Sequence, residues 1–170
     1  GVALAEAGLD LILLGHSKGH VGQSLWLDVC YGRREGAPPP VDLDVEKRLG
    51  ALLRGLIDGG KVSAAHDISD GGALVALTEM ALAGNMGVTL SAINHPNPAA
   101  LLFGEDQGRV LVATKDAAAV QAAASAANLF SAVIGTSGGD SVSGPGFTVA
   151  LAALRSAHEG FFPNLMSGEL

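Results

Sequence analysis

Short apolar runs, each about five residues long, alternate along this chain with segments of helical spacing, and that alternation restricts it to a sheet covered by helices. The runs are Asp10 to Leu14, "KVSAAHD" from Lys61, "GVTLSA" from Gly87, "RVLVAT" from Arg109 and "FSAVIGT" from Phe130. From Asp42 to Asp58 the apolar positions Val45, Leu49, Leu52, Leu53 and Leu56 fall three and four apart. Asp42, Asp44 and Glu46 stand where a helix start favours anions, so this segment is a helix. "GGALVALTEMALAGN" reads as a helix halted by Gly84 and Asn85, "NPAALLF" as a short one, and "DAAAVQAAASAANL" as one capped by Asp116. Alanine is the strongest helix former, which makes that tract packed helix rather than low-complexity filler. "DSVSG" and "FTVAL" read as a closing hairpin or edge, and "REGAPPP", residues 34–40, as an extended connector. The expectation is an α/β (α+β) fold with a mixed sheet, residues 1–170 forming one domain.

Bulk properties narrow the function. The 170 residues are enough to bury a real core, and 48% are hydrophobic with 24 glycines, a mix of small side chains suited to tight packing. A formal charge of −7 argues against nucleic acid as a partner, because phosphate-backbone affinity needs clustered Lys and Arg. Cys30 is the sole cysteine, so neither an internal disulfide nor a multi-cysteine metal site can form; this fits a reducing cytoplasm, with Cys30 expected to be a small buried hydrophobe. The longest apolar stretches are too short or too alanine-rich to span a membrane. The chain begins at Gly1 with no signal-peptide layout, which reads as a piece of something longer.

Three stretches are candidates for chemistry. In "HDISDGG" Ser69 or Asp70 is expected to cap a helix, with Gly71 and Gly72 in its first turn and His66 ending a strand. The same turn would point free N–H groups at a phosphate, with Asp67 holding a magnesium ion that screens it. In "LFGEDQGR" Glu105, Asp106 and Gln107 crowd a turn, either as a solvated acidic loop or around a bound cation, with Arg109 available as an ion-pair partner. In "LGHSKGHVGQS" Gly15, Gly19 and Gly22 leave amides accessible beside Lys18, a weak phosphate-loop signal. His16 and His20 lie four apart, yet the glycines make a helix there improbable and no third zinc ligand is evident. Gly55, Gly60 and Lys61 nearly match a P-loop, but Val62 replaces the required hydroxyl and the segment ends a helix. The dinucleotide glycine fingerprint is missing, and neither Cys30 nor Ser24 has the setting of a nucleophile.

Together "LLGHSKGHVGQSLWL", the segment from "APPPVDLDVEKRLG" through "AHDISDGGALVALTEMALAGNMGV", "LFGEDQGRVLVAT" and "FFPNLM" resemble the phosphoribosylformylglycinamidine synthase family, in order and across nearly the whole chain. The resemblance is to the last domain of the second of two aminoimidazole-ribonucleotide (AIR)-synthetase-like copies. It implies a three-layer, distantly ferredoxin-like fold of the AIR-synthase C-terminal type. It also implies an ATP-dependent carbon–nitrogen ligase that converts formylglycinamide ribonucleotide to the amidine with glutamine-derived ammonia. The cofactors implied are ATP or ADP and Mg²⁺; the partners are the remaining synthetase domains and a glutaminase subunit or domain. By the same resemblance Ser69, Asp70, Gly71, Gly72, Glu105, Asp106 and Gln107 are nucleotide or phosphate contacts, Asp67 is the metal ligand, and no residue here is catalytic. His16, Gln23 and Leu25 depart from the family pattern of the first loop, and Gly108 stands where alanine is common. The alternatives are a non-catalytic scaffold with a structural nucleotide site, or a domain of another ATP-dependent enzyme of the superfamily.

Overall fold

A computed structural model describes residues 1–91 and 97–168. The strand β1 (Asp10–Leu14) runs antiparallel to both of its neighbours, β4 (Val110–Thr114) and β5 (Ser131–Ser137). Outside them lie β2 (Ala64–Asp67), paired with β4, and β3 (Val88–Leu90), paired with β5. A parallel pairing of β3 with β6 (Ser141–Gly144) and the hairpin from β6 to β7 (Phe147–Ala150) complete the order β2-β4-β1-β5-β3-β6-β7. That one parallel pairing makes the sheet mixed, as expected.

The apolar runs of β1 and β4 are continuous because both faces are covered. Successive side chains point to opposite faces, so Leu11, Leu13, Leu111 and Ala113 join one core cluster, and Ile12, Leu14, Val110 and Val112 the other. The first cluster is closed by α3 (Gly72–Gly84) with Leu151 of α6 (Leu151–Ser167). The second is closed by α2 (Leu43–Asp58) and α5 (Ala117–Ala126). The result is three layers. Among the described residues no helix is long and apolar enough to cross a membrane.

Local chemistry sets the helix starts. Asp42 accepts from the amides of Asp44 and Val45, and Asp116 from that of Ala119, as the capping signals require. α3 differs from expectation: neither Ser69 nor Asp70 caps it, and its N-cap is Gly71, with φ 79° and no side-chain hydrogen bond. Its other end does follow the sequence, closing on Asn85 in the left-handed conformation. Strand β2 is shorter than "KVSAAHD", and Leu151 opens α6 instead of closing β7. Ala92, the end of the third expected strand, lies outside the described residues. The helix α6 is not among the sequence expectations, since Gly160 and Pro163 lower its intrinsic preference. Cys30 is exposed on α1 (Leu25–Tyr31), a seven-residue helix that buries none of its residues, so the expectation of a buried thiol is corrected.

Two helical glycines differ in what surrounds them. A Cβ on Gly84 would lie 2.0 Å from the Leu4 carbonyl oxygen, whereas one on Gly55 would meet nothing within 4 Å. Gly55→Ala should therefore raise stability by about 0.5–1 kcal/mol, the ordinary gain from removing a helix-interior glycine. Gly84→Ala should instead cost about 1–3 kcal/mol by overpacking. Urea midpoints of the two variants check the opposite signs.

Candidate functional site

The antiparallel pairings bring the sequence candidates to one end of the sheet. Val110 at the start of β4 is opposite Leu14 at the end of β1 and Asp67 at the end of β2, while Leu14 is also opposite Ser131 at the start of β5. The loops at 15–24, 68–71, 104–109 and 127–130 therefore gather there.

The 104–109 loop organises this end. Glu105 Oε1 accepts from the amides of Leu25 and Gly71, both at 2.8 Å, joining the starts of α1 and α3. Asp106 Oδ2 accepts from Lys18, Gly19 and His20 N–H at 3.1, 3.0 and 3.3 Å, and the residue is only 6% exposed. Behind it lies Arg109, 2% exposed, whose Nε donates to the Asp106 carbonyl at 3.0 Å. Its Nη2 donates to the Gly104 carbonyl at 2.6 Å, its Nη1 to Ser17 Oγ at 2.8 Å, and Nη1 stands 3.9 Å from Asp106 Oδ2. Burial draws the Arg109 guanidinium below its ordinary pKa, and the negative charges of Asp106 and Glu105 oppose that shift. It thus pairs with an acid, as expected, but spends most of its donors on carbonyls and a hydroxyl.

These bonds correct two expectations. The acidic stretch is not a solvated loop, because Asp106 is buried and both acids accept main-chain hydrogen bonds. Nor are the amides of the glycine turn free: Gly71 N–H donates to Glu105 and Gly72 N–H to the Ser69 carbonyl at 3.0 Å. The Glu105 carboxylate occupies the position of an external anion. Gly72 is required by close approach, since a Cβ there would lie 2.7 Å from Phe103 and Gly104 backbone atoms, at a φ of 74°. In the first loop, the amides of Lys18, Gly19 and His20 are likewise taken by Asp106.

The remaining candidates are brought to the same end but not into one cleft. Asp67 has a 75%-exposed side chain beside His66, whose Nδ1 is 3.3 Å from Asp67 Oδ1 and whose Nε2 is 3.1 Å from Glu79 Oε2. It lines a groove of about 370 Å³ with Ile57 and Val62. Asp70 and Glu105 line a separate depression of about 180 Å³ with Asp28 and Arg34, the latter holding the Asp28 carboxyl below its usual range by a hydrogen bond. Asp106 and Gln107 border a third, of about 360 Å³, with His16, Lys18 and Arg48. Ser69 is exposed on the turn. Among the described residues no group of three or more His, Cys, Asp or Glu side chains is arranged to hold a metal ion. Sequence reasoning missed the Arg109 hub; its one signal was the glycine-rich loop lying far along the chain from a Glu-Asp pair followed by an arginine.

Arg109→Met should destabilise the chain by about 3–5 kcal/mol, because it strands a buried carboxylate. Arg109→Lys should recover only part of that loss, since an ammonium cannot reach the Asp106 carbonyl, the Gly104 carbonyl and Ser17 together. Equilibrium urea unfolding of both variants measures this, and a lysine variant as stable as the parent would refute the hub.

Comparison with known proteins places the chain. The phosphoribosylformylglycinamidine synthase subunit PurL of Acidiphilium cryptum is 51% identical over 164 residues, 95% of this chain and 22% of the relative. That of Caulobacter vibrioides is 47% identical over 168 residues, 98% of this chain and 23% of the relative. The chain thus spans less than a quarter of the length of these relatives. Among solved structures, Thermotoga maritima PurL complexed with FGAR superposes with a TM-score of 0.73 at 21% identity, over 89% of this chain and 28% of that one. E. coli HypE, a hydrogenase maturation protein, superposes at 0.62 with 22% identity, over 90% of this chain and 52% of that one. Both share the fold. Residues 6–154 match the family model described as AIR synthase related protein, C-terminal domain, and the chain belongs to that family.

Proposed function

We propose that the chain, folding as one domain over residues 1–170, serves as a C-terminal domain of a phosphoribosylformylglycinamidine synthase in the cytoplasm. The observation that carries this reading is the 51% identity over 95% of the chain to a subunit of that name. In that reaction the glycinamide carbonyl oxygen of formylglycinamide ribonucleotide takes the γ-phosphoryl group of ATP, and ammonia derived from glutamine then displaces phosphate to leave the amidine. The remaining synthetase domains and a glutaminase partner supply what this chain lacks; solved relatives include PurL complexed with ATP and a PurLQS assembly.

This chain's own contribution is positional. Glu105 and Asp106 hold the starts of α1 and α3 and the 17–20 loop in fixed register. Asp67, a hard oxygen donor exposed at the end of β2, fits as one ligand of a magnesium ion whose other ligands are phosphate oxygens and water. Bound there, the ion would neutralise phosphoryl charge. Asp70 and Gln107, both exposed, and Ser69 remain available to a nucleotide, whereas the amides of Gly71 and Gly72 do not.

A second reading, a scaffold without nucleotide, is favoured by the internal use of Glu105, Asp106 and Gly71. Joined to the remaining domains, the chain should be required for ATP- and ammonia-dependent amidine formation, and alone it should turn over nothing; unimpaired synthesis after its deletion would overturn the assignment. In the assembled enzyme Asp67→Asn should weaken Mg²⁺-dependent ADP retention by about tenfold, the loss of one charged ligand. Calorimetric titration with ADP and Mg²⁺ checks this, and equal retention in both forms leaves the scaffold reading.

A further inference from the structure

Helix α6 carries an apolar stripe past the body of the domain. Its first turns pack against α3 and β7, with Leu151 buried and Leu154 against the core. With 3.6 residues per turn, Phe161, Phe162, Leu165 and Met166 fall on the same side of the helix as those two leucines. Beyond Leu154, however, no described residue of α6 is buried. The four side chains are 51, 71, 51 and 85% exposed. The opposite side is formed by Ser156, Gly160, Pro163 and Asn164. The helix is therefore two-sided, with the outer part of its apolar side in water.

The patch is large and its direction is fixed. Fully burying one aromatic side chain removes roughly 150–250 Å² from water, so these four leave about 400–500 Å² of neighbouring apolar surface exposed. A contiguous patch of that size marks an interaction surface, whereas scattered apolar residues need no partner. Propensity does not account for the extension, because Gly160 and Pro163 both weaken it. At its base Arg155 Nη2 donates to the Leu82 carbonyl at 2.8 Å and to Asn85 Oδ1 at 3.3 Å, tying α6 to the end of α3. His158 is the one titratable side chain within the outer stripe, and Glu159 at its margin is already paired with Arg155. An apolar partner, not a charged one, fits this face.

The extent of the relatives indicates what that partner is. The match to the C-terminal-domain family ends at residue 154, where α6 leaves the core, so the outer half of the helix stands outside the shared domain. The Caulobacter vibrioides subunit nevertheless matches 98% of this chain, which necessarily takes in that outer half, and this chain matches only 23% of that subunit. The extension thus accompanies a polypeptide most of which lies elsewhere, and an uncovered apolar face is placed to meet that remainder. Two copies of a chain of net charge −7 repel each other, which weighs against self-association as the cover.

We propose that the outer half of α6, residues 158–166, docks into an apolar concavity on the remaining synthetase domains of the same polypeptide, with Phe161, Phe162, Leu165 and Met166 as the contacting side chains. This rests on the synthase reading and adds the surface that joins the domain to the rest. The test is amide hydrogen exchange of residues 158–166, read by mass spectrometry, in the 170-residue chain and in the assembled enzyme without its glutaminase partner. Exchange should be slower by at least about a hundredfold in the assembled enzyme, because a docked helix opens only when its contact breaks. Phe162→Asp should remove that protection, whereas Ser156→Asp on the opposite side of α6 should leave it intact. Both positions are exposed, and circular dichroism confirms that each variant is folded. Equal exchange in the two states, or equal loss in both variants, would overturn the proposal. So would protection that arises only on adding the glutaminase partner, or protection of the isolated chain that grows with concentration as it sediments as a dimer. Failure of the synthase reading is distinguishable, since the assembled protein would then protect the helix yet make no amidine.

Discussion

Three main-chain N–H groups on one buried carboxylate oxygen set the geometry of the end of this domain where the candidate residues gather. A buried charge is costly unless hydrogen-bonded and paired, and Asp106 has both: amides from residues 18–20 in front and the Arg109 guanidinium behind. Arg109 immediately precedes β4, whose strand is buried throughout, so the loop cannot shift without disturbing the sheet. Glu105 extends the same device to the starts of α1 and α3. Two adjacent acids thereby tie together three stretches distant in sequence, residues 18–25, the turn at 71 and their own 104–109 loop.

A phosphate-like signature follows from that arrangement without any phosphate. Backbone nests and helix starts favour anions of any kind, and a side-chain carboxylate is as acceptable as a phosphate oxygen. The glycines at 71 and 72 serve this internal contact. Gly71 takes a left-handed φ of 79°, and Gly72 lets the chain pass within van der Waals reach of Phe103 and Gly104. The Asp67 and Asp70 side chains at this turn remain exposed.

What was legible in the sequence had a local cause. The α2 and α5 segments carry periodic apolar positions and aspartate caps, and β1 and β4 are uninterrupted apolar runs; each depends on residues within one element. The start of α3 was misread because its cap is a glycine held by a carboxylate 34 residues away. Helix α6 was missed because packing of Leu151 and Leu154 against the core, rather than propensity, offsets a glycine and an internal proline. Cys30 is exposed because α1 buries none of its residues, a fact about neighbours that composition does not carry. The candidate residues fall at one end of the sheet, yet their distribution over three depressions depends on side-chain direction and loop path.

Helices cover both faces of the central strands β1 and β4, so their residues meet a ligand only through the strand ends and loops, whereas Thr89, Val133, Thr136 and Thr148 on the outer strands stay exposed. Antiparallel pairing of β1 with β4 and β5, and of β4 with β2, puts the end of two strands and the start of two others side by side. Residues from four loops can then act together while each is anchored to a buried strand. Carboxylates are consumed at the centre of that end, whereas Lys18 and Arg48 at one margin and Asp67 at another stay accessible. This end is therefore rigid where it is internally neutralised and open to solvent at its margins.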